Sequence, residues 1–290
     1  MNFLFTINDA YAEPVKPLLF SVYDNLGKGN NYYFIYEDLS DKSIVELTAF
    51  IEDKCFGTAK FVTFPYDEVL NGLPLTGNWS KEVYFRLFAP YIFTELDQIV
   101  YLDGDTIVTG KLEEIKKLQG DNSFVIAAVE NDVQKENLER LGLVEQSVYV
   151  NAGVLVINLQ QWREKCTYEK MLQYLLQWKG IMKFQDQDFI NLLWQEHFRI
   201  LPRSYNYMIS LTERNPSYTV IPNPEICHYV FTKPWVDYFE YGTDGPYIYY
   251  LRKSGKKKEA FELKKKHTIL RLKNNIKKEL GLVKGKTIKK

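Results

Sequence analysis

The sequence of 290 residues lacks the features that mark secreted and membrane-spanning proteins. Its three cysteines are odd in number and far apart, and none belongs to a CxxC pair, which favours the reducing cytosol. No stretch approaches the roughly 20 apolar residues that span a bilayer. The apolar run at residues 3–5 is too short for a secretory signal and leads directly into Asn8 and Asp9. We therefore expect a cytoplasmic protein that is soluble or bound to the inner face of the plasma membrane.

The sequence also lacks a glycine-rich loop for phosphate. No GxGxxG follows the first predicted strand, and the Walker pattern GxxxxGK[ST] does not occur. If the protein binds a nucleotide, the charge of the phosphates must be met by a metal ion or by cationic side chains.

What is present is a composition suited to a large folded domain. Hydrophobic residues make up 46% and aromatic residues 15% of the chain, enough for a substantial core. Short apolar runs alternate with segments of helical spacing, a pattern typical of an α/β fold with a mostly parallel sheet and helices on both faces. The predicted strands are residues 3–7, 32–36, 60–64, 99–102, 124–129, 149–158 and 225–230. The predicted helices include residues 15–26, one capped by Ser40 or Asp41, residues 81–91 capped by Ser80, and residues 185–194.

Asp103, Gly104 and Asp105 end the apolar run at residues 99–102. Side chains two residues apart in an extended chain share a face, so both carboxylates are expected on one side. Hard divalent cations prefer such oxygen ligands and keep open positions for phosphates. Open α/β sheets bind nucleotides at the carboxyl ends of their strands. The pair therefore predicts a metal clamp for a diphosphate, with an ordinary turn between two short strands as the alternative.

Charge is distributed unevenly along a chain whose net charge is zero. Between Arg252 and Lys290 there are 16 basic and three acidic residues, a net charge of +13, which leaves −13 on the preceding 251 residues. We therefore expect one domain over residues 1–245 and a basic C-terminal helical tail over residues 246–290. Lysines and apolar residues are interleaved in the tail, which fits an amphipathic helix on an anionic membrane surface. The alternative is a solvated end or a helix packed on the domain, and no nucleic-acid recognition motif accompanies the lysines.

Six sequence blocks, in this order, resemble those of family-8 glycosyltransferases, which include bacterial lipopolysaccharide galactosyl- and glucosyltransferases and glycogenin. The blocks are residues 5–11 (FTINDAY), 84–87 (YFRL), 101–105 (YLDGD), 151–154 (NAGV), 185–188 (QDQD) and 228–235 (HYVFTKPW). The resemblance implies a GT-A (Rossmann-like) catalytic domain over residues 1–245. It also implies transfer of a hexose, galactose favoured and glucose next, from a UDP-sugar with retention at the anomeric carbon. The implied cofactor is Mn²⁺, with Mg²⁺ as the alternative, and the implied acceptor is a saccharide on a cell-surface glycan, a protein or a lipid.

The resemblance assigns roles to particular residues. Asp103, Asp105 and His228 would hold the metal, and an imidazole beside two carboxylates shifts the preference toward Mn²⁺. Lys233 would hold a diphosphate oxygen, on a segment after His228 that is shorter than the family pattern and lacks its glycine. For Arg86 the alternative is a structural ion pair with an acid such as Asp105 or Asp186. The residues expected to contact the donor are Thr6, Asn8, Tyr11, Arg86, Asp103, Gly104, Asp105, Asn151, Ala152, Asp186, Gln187, His228 and Lys233, and Glu130 matches a further position near the hydroxyls.

The block at residues 185–188 opens a predicted helix and supplies the expected catalytic residues. Asp186 would bind hydroxyls of the donor sugar, and Gln187 would lie beneath the anomeric carbon. Because an amide is a poor nucleophile, we favour a front-face mechanism in which the acceptor attacks from the side that UDP leaves. A double displacement through Asp186 or Gln187 is the alternative. Residues 72–77 and 205–222 are candidate walls of the acceptor site.

Two other functions are weighed against the transferase. The two aspartates after an apolar strand also occur in haloacid-dehalogenase-type phosphatases, although the threonine here comes one place early. A non-enzymatic protein could instead use its basic tail to bind a membrane or nucleic acid.

Overall fold

A mixed sheet forms the centre of the computed structural model, which describes residues 1–65, 67–76, 80–213, 220–237, 239 and 242–280. The strands in these residues are β1 (Asn2–Thr6), β2 (Asn31–Tyr36), β3 (Thr58–Thr63), β4 (Gln98–Leu102), β5 (Thr106–Val108), β6 (Ile126–Glu130), β7 (Val150–Asn158), β8 (Phe198–Leu201) and β9 (Ile226–His228). Seven of them form the sheet in the order β3-β2-β1-β4-β7-β6-β8, and β5 pairs with β9 separately. Neighbours in the large sheet are parallel except where β7 pairs with β4 and β6, so the predicted mostly parallel sheet is confirmed.

Helices connect most of the strands. The α-helices of the described chain are α1 (Lys16–Leu26), α2 (Asp41–Phe50), α3 (Asp67–Leu70), α4 (Ala89–Ile92), α5 (Glu113–Lys117), α6 (Lys135–Arg140), α7 (Leu159–Lys165), α8 (Tyr168–Trp178), α9 (Gln185–Leu193), α10 (Gly245–Lys253) and α11 (Lys257–Glu279). α1 ends at Gly27, which adopts a φ of 85°. The Ser40 side chain caps α2 by accepting a hydrogen bond from the Ser43 amide.

Apolar side chains of the sheet enter two cores. On β1, Phe3 and Phe5 pack with residues of α1 and α2, whereas Leu4 packs with residues of α7, α8 and α9. This alternation follows from the two-residue period of a strand. The sheet is therefore buried on both sides, and the predicted helices on both faces are confirmed.

The segment at residues 81–88 and strand β8 are two places where the structure differs from the sequence prediction. Lys81–Phe88 is a 3₁₀ helix that continues into α4, and the Ser80 side chain makes no capping hydrogen bond. Because Tyr84 to Phe88 are all buried, tertiary packing rather than an amphipathic period sets the shape of this segment. β8 was not predicted, because this short edge strand exposes both Arg199 and Ile200.

The basic tail forms α10 and α11, and both helices contact the rest of the chain. Asn25 of α1 donates to the Tyr250 hydroxyl of α10 at 2.7 Å. Asp244 is buried and hydrogen-bonds to both His267 and Arg271 of α11. One face of α11 is thus held by the chain that precedes it.

Some predicted segments fall partly outside the described residues. These are residues 281–290 of the tail, residue 77 of the first candidate acceptor wall and residues 214–219 of the second. The division of the chain at residue 245 stays a prediction. In the part of the chain that is described, no helix combines the length and the apolar character needed to cross a bilayer.

Candidate active site

Strand order brings three of the predicted blocks to one edge of the sheet. β1 and β4 are parallel neighbours, so the chain leaves both strands at the same edge, after Thr6 and after Leu102. β7 runs antiparallel to β4 and therefore begins at that edge. The Asp103 amide donates to the Gly153 carbonyl at 2.8 Å, which joins the end of β4 to the start of β7.

Residues 103–105 form a turn, so the predicted extended geometry of the two aspartates is wrong. The amide and the hydroxyl of Thr106 both donate to the Asp103 carbonyl, at 3.1 and 2.9 Å. β5 begins at Thr106, which pairs with His228 of β9. The carboxylates converge because the turn and this strand pairing place both of them beside the histidine, not because they share a face of a strand.

Asp103, Asp105 and His228 form a cluster whose ligand atoms all lie within 4.8 Å of one another. His228 Nε2 is 3.5 Å from Asp103 Oδ2 and 3.3 Å from Asp105 Oδ1. Burial alone would lower the pKa of His228, but the two aspartates raise it to about 9. Burial favours the protonated form of Asp105, yet Lys233 and His228 hold its pKa below the usual range. Two carboxylates and an imidazole are a donor set for a divalent cation, so these residues fit the predicted metal.

Lys233 belongs to the same cluster. Its Nζ is ion-paired with Asp105 and donates to the Tyr229 carbonyl at 3.1 Å. The segment between His228 and Lys233 contains no glycine, and Phe231 adopts the left-handed φ of 65° that glycine adopts more readily. The shorter segment thus still brings the lysine to the aspartates.

Arg86 connects the cluster of Asp103, Asp105 and His228 to α9, the helix that carries the predicted catalytic residues. Nη2 is 3.0 Å from Asp103 Oδ1, Nε is 3.2 Å from Asp186 Oδ2, and Nη1 donates to the Ala152 carbonyl at 2.6 Å. The side chain is buried. The expected structural ion pair is therefore present with Asp186, and Asp103 rather than Asp105 is the second partner.

The loop after β1 offers groups for a flat polar ligand. Asn8 Oδ1 is buried and has no hydrogen-bond partner among the described residues. Such an acceptor is available to an N–H group of a ligand. Tyr11 lies edge-on to Trp235, with ring centroids 5.6 Å apart. It also covers Gly104, where a Cβ would lie 2.9 Å from the tyrosine ring.

Thr6 is linked to the cluster through Tyr101. The Thr6 hydroxyl is 3.1 Å from the Tyr101 hydroxyl, which donates to Asp103 Oδ1 at 2.6 Å. This contact supports an aspartate of the cluster, whereas a direct contact of Thr6 with the donor stays a prediction.

Gln187 faces the start of β7. Its Oε1 accepts hydrogen bonds from Asn151 Nδ2 at 2.9 Å and from the Ala152 amide at 3.2 Å. Gln187 is half-buried, whereas Asp186 is fully buried. Burial raises the pKa of Asp186 to about 7, against the opposing effect of Arg86. Glu130 is exposed at the end of β6.

The family assignment follows from a comparison with known families. The model of glycosyl transferase family 8 matches residues 2–238. The chain belongs to this family. Asp103, Asp105 and His228 all lie inside the matched range. This family-8 chain is a glycosyltransferase, a class that uses a nucleotide-sugar donor and a saccharide acceptor.

Curated relatives of the family-8 chain include lipopolysaccharide glycosyltransferases. It is 29% identical over 255 residues to a lipopolysaccharide 1,2-glucosyltransferase of Escherichia coli, covering 83% of this chain and 75% of that enzyme. It is 27% identical over 237 residues to a lipopolysaccharide 1,3-galactosyltransferase of Salmonella typhimurium, covering 77% and 66%. It spans only 52% of the length of a second 1,2-glucosyltransferase, from E. coli K12, to which it is 33% identical.

Solved structures share the fold of the family-8 chain. The galactosyltransferase LgtC, in complex with donor and acceptor sugar analogs, superposes with a TM-score of 0.74 at 23% identity, covering 88% of this chain and 96% of that one. The glycosyltransferase GlyE of Streptococcus pneumoniae superposes with a TM-score of 0.64 at 21% identity, covering 86% and 60%. These likenesses confirm the predicted GT-A fold.

Asn206 supports the family-8 site and was not predicted. Its Oδ1 is 2.7 Å from His228 Nδ1, and its Nδ2 donates to Asn151 Oδ1 at 2.7 Å. Because the nitrogen of the amide faces Asn151, the oxygen faces His228 and accepts from Nδ1–H, which leaves Nε2 toward the aspartates. The sequence signal that could have indicated this buried amide is its place between two aromatic residues, Tyr205 and Tyr207.

Gly153 has no room for a side chain, because His228 and Asp103 lie directly beside it. A Cβ there would lie 2.1 Å from His228 Cε1 and 2.8 Å from Asp103 Oδ2. We therefore expect Gly153→Ala to displace His228 and to lower the affinity for Mn²⁺ about 10- to 100-fold, as measured by electron paramagnetic resonance titration. Gly180→Ala is the matched control, because a Cβ at Gly180 meets no atom within 4 Å. Equal Mn²⁺ affinity in the two variants would contradict the expectation.

Proposed function

We propose that this chain transfers a hexose from a UDP-hexose to a saccharide acceptor, with retention at the anomeric carbon and with dependence on Mn²⁺. The observation that carries the proposal is the cluster of Asp103, Asp105 and His228, with Lys233 ion-paired to it. In a chain without a glycine-rich phosphate loop, such a cluster supplies what a diphosphate needs, namely a cation site and a cationic side chain.

The ligand set favours Mn²⁺ over Mg²⁺. Mg²⁺ prefers oxygen ligands and retains several waters, whereas the His228 nitrogen shifts the preference toward a first-row transition ion. Asp103, Asp105 and His228 would hold the ion, and the more exposed Asp103 carboxylate marks the side open to the donor. When bound, the ion would polarise the diphosphate and stabilise UDP as the leaving group.

The cationic side chains have separate roles in this proposal. Lys233 donates from Nζ to a diphosphate oxygen as a point charge. Arg86 is buried with its guanidinium between Asp103 and Asp186, so it holds these two carboxylates in place. Asn8 accepts from the uracil edge with its unpartnered Oδ1.

The reaction we propose is a front-face displacement. The bond from C1 of the hexose to UDP breaks while a bond from C1 to the acceptor oxygen forms on the same face. The proton of the acceptor hydroxyl passes to a β-phosphate oxygen of UDP. The Gln187 side chain stabilises the oxocarbenium-like centre.

The surroundings of Asp186 and Gln187 oppose a double displacement. An amide such as that of Gln187 is a poor nucleophile. The Asp186 carboxylate is buried and ion-paired with Arg86, so it is better placed to bind sugar hydroxyls than to attack C1.

The donor and the acceptor are the finer parts of the proposal. We favour galactose and place glucose second, and we propose an acceptor saccharide on a cell-surface glycan, a protein or a lipid. Relatives named lipopolysaccharide 1,2-glucosyltransferase and 1,3-galactosyltransferase support a glucose or galactose donor and a saccharide acceptor on a glycan.

A panel of UDP-sugars, assayed for UDP release with Mn²⁺, tests the proposal. We expect the fastest release from UDP-galactose or UDP-glucose. Release of phosphate from phosphomonoesters without any UDP formation would instead support the phosphatase alternative. That alternative is not favoured, because the chain belongs to a glycosyltransferase family.

We further propose that α11 attaches the enzyme to the cytoplasmic face of an anionic membrane. Phe261, Leu272 and Ile276 are 64%, 58% and 55% exposed and recur at helical spacing on one face. The buried residues Ala260 and His267 lie on the opposite face. Lysines lie among and beside these exposed apolar residues, and they supply the positive charge that attracts a helix to an anionic lipid surface.

Replacing the three exposed apolar residues of α11 tests the membrane proposal. We expect Phe261→Ser/Leu272→Ser/Ile276→Ser to lower binding to anionic vesicles by at least about 10-fold in a sedimentation assay, because apolar area that would enter the interface is lost. Val45→Ser is the control, since Val45 is 67% exposed on α2. Equal binding of the unmodified protein to neutral and anionic vesicles would contradict the proposal.

A further inference from the structure

The amide of Gln187 is held from both ends. Its Oε1 accepts from Asn151 Nδ2 and from the Ala152 amide, and its Nε2 donates to the Tyr149 hydroxyl at 3.1 Å. A flipped amide would turn its NH₂ group toward two donors. These two donors set the orientation of the Gln187 amide, so the Tyr149 hydroxyl must accept a hydrogen bond from its Nε2.

The direction in which the Tyr149 hydroxyl donates its hydrogen bond is in turn set by Asp188. Tyr149 is buried and donates to Asp188 Oδ1 at 2.6 Å. The other oxygen, Oδ2, accepts from the amides of Lys183 and Phe184 at 2.6 and 2.8 Å and is 3.0 Å from Arg140 Nη1. An ionised carboxylate only accepts hydrogen bonds. The tyrosine proton is thus committed to Asp188, which leaves the hydroxyl oxygen free to accept from Gln187.

We propose that Asp188 and Tyr149 are positioning residues that hold the Gln187 amide in place, because Asp188 takes the tyrosine proton and so makes the Tyr149 hydroxyl an acceptor for Gln187 Nε2. The inference rests on the proposed catalytic role of Gln187 and concerns residues that do not themselves touch the reacting atoms. Asp188 is fully buried, and its contacts run through Tyr149, Arg140 and the backbone. Its carboxylate accepts the tyrosine proton, so the Tyr149 hydroxyl oxygen is left to accept from Gln187.

The isosteric variant Asp188→Asn reverses the direction of the hydrogen bond between Tyr149 and residue 188. The two backbone amides of residues 183 and 184 require the oxygen of the introduced amide, so its NH₂ group faces Tyr149. The tyrosine must then donate toward Gln187, which presents an NH₂ group on that side. We expect kcat to fall about 10- to 100-fold through misplacement of Gln187, while the KM for UDP-hexose and the Mn²⁺-dependent affinity for UDP change by no more than about two-fold.

Arg140→Gln is the matched control. It removes another partner of the same carboxylate but leaves Asp188 as an acceptor and Tyr149 as its donor. We expect its kcat to stay within about three-fold of the parent enzyme. Equal kcat losses in Asp188→Asn and Arg140→Gln would overturn the proposal, because they would reduce Asp188 to a structural residue.

A thermal unfolding cycle tests the same hydrogen-bond direction without turnover. Asp188→Asn and Gln187→Glu each create a mismatch at the Tyr149 hydroxyl, and each is expected to lower the melting temperature by at least about 3 °C. In the double variant the introduced carboxylate accepts from Tyr149, Asn151 and Ala152, so most of the loss is regained. In the Tyr149→Phe background the part of the coupling that the hydroxyl transmits is lost, so we expect the coupling to shrink to the direct repulsion between the introduced carboxylate and Asp188.

The outcomes separate the inference from the proposed function. Additive melting shifts, or a coupling that is just as large in the Tyr149→Phe background, would overturn the positioning role even if the enzyme transfers hexose. If the parent protein releases no UDP from any UDP-hexose, the transferase proposal fails while the unfolding cycle remains readable. If Asp188→Asn does not fold alone, the double variant and Tyr149→Phe still decide whether the hydroxyl couples the two positions.

Discussion

Replacing Asp105 with alanine is expected to lower kcat/KM for hexose transfer by about 1,000-fold. The carboxylate is buried between His228 and Lys233, so its loss removes a metal ligand and leaves two basic groups without their shared counter-charge. Metal stabilisation of a leaving diphosphate contributes several kcal/mol, and about 4 kcal/mol corresponds to this factor. Initial rates at saturating Mn²⁺ measure the effect.

Asp24→Ala is the control for Asp105→Ala. Asp24 is also paired with a lysine, Lys253, at 3.2 Å, but it lies on the surface of α1. We expect no more than about a two-fold change in rate from this variant. If Asp105→Ala kept a tenth or more of the parent activity, the metal-ligand role of Asp105 would be wrong.

Replacing Arg86 with methionine is expected to lower the free energy of unfolding by about 3–5 kcal/mol, because it leaves the buried Asp186 carboxylate and the partly exposed Asp103 carboxylate without their shared cation. Arg86 is 3% exposed and contacts Asp103, Asp186 and the Ala152 carbonyl. Transfer activity should also be lost, since Asp103 and Asp186 are both freed to move. Chemical denaturation followed by far-UV circular dichroism measures the stability.

Two further variants make the Arg86 prediction specific. Arg199→Met breaks an exposed ion pair with Asp121 and should cost less than about 1 kcal/mol. Arg86→Met/Asp186→Asn removes one of the stranded charges and should recover part of the lost stability. A cost for Arg86→Met no larger than that for Arg199→Met would show that the guanidinium does not hold the site together.

Much of the fold could be predicted because local pattern and tertiary environment agree. The apolar run before Asp103 is a strand buried on both sides, and the spacing of Leu18, Leu19 and Val22 matches the buried face of α1. Sequence pattern and structure disagree where tertiary packing determines the conformation of a segment. The segment at residues 81–88 buries most of its surface and becomes a 3₁₀ helix, and the edge strand β8 has too few buried residues to show a period.

Part of the candidate site could likewise be predicted from the sequence, and part of it could not. Its motif residues were found because six sequence blocks resemble those of family-8 glycosyltransferases, and strand order then brings three of the blocks to one edge of the sheet. Asn206 was missed because its role depends on two partners, Asn151 and His228, that are 55 and 22 residues away in sequence. In the sequence prediction the turn at Asp103 is only the alternative to the metal site, whereas the structure has both the turn, closed by the hydrogen bonds of Thr106, and the cluster of Asp103, Asp105 and His228.

Isothermal titration of the full chain with UDP, in Mn²⁺ and again with excess chelator, tests the proposed metal site most directly. We expect UDP to bind at least about 100-fold more tightly with Mn²⁺, because the cluster of Asp103, Asp105 and His228 would hold the ion that meets the diphosphate. Equal affinity for UDP under the two conditions would contradict that expectation.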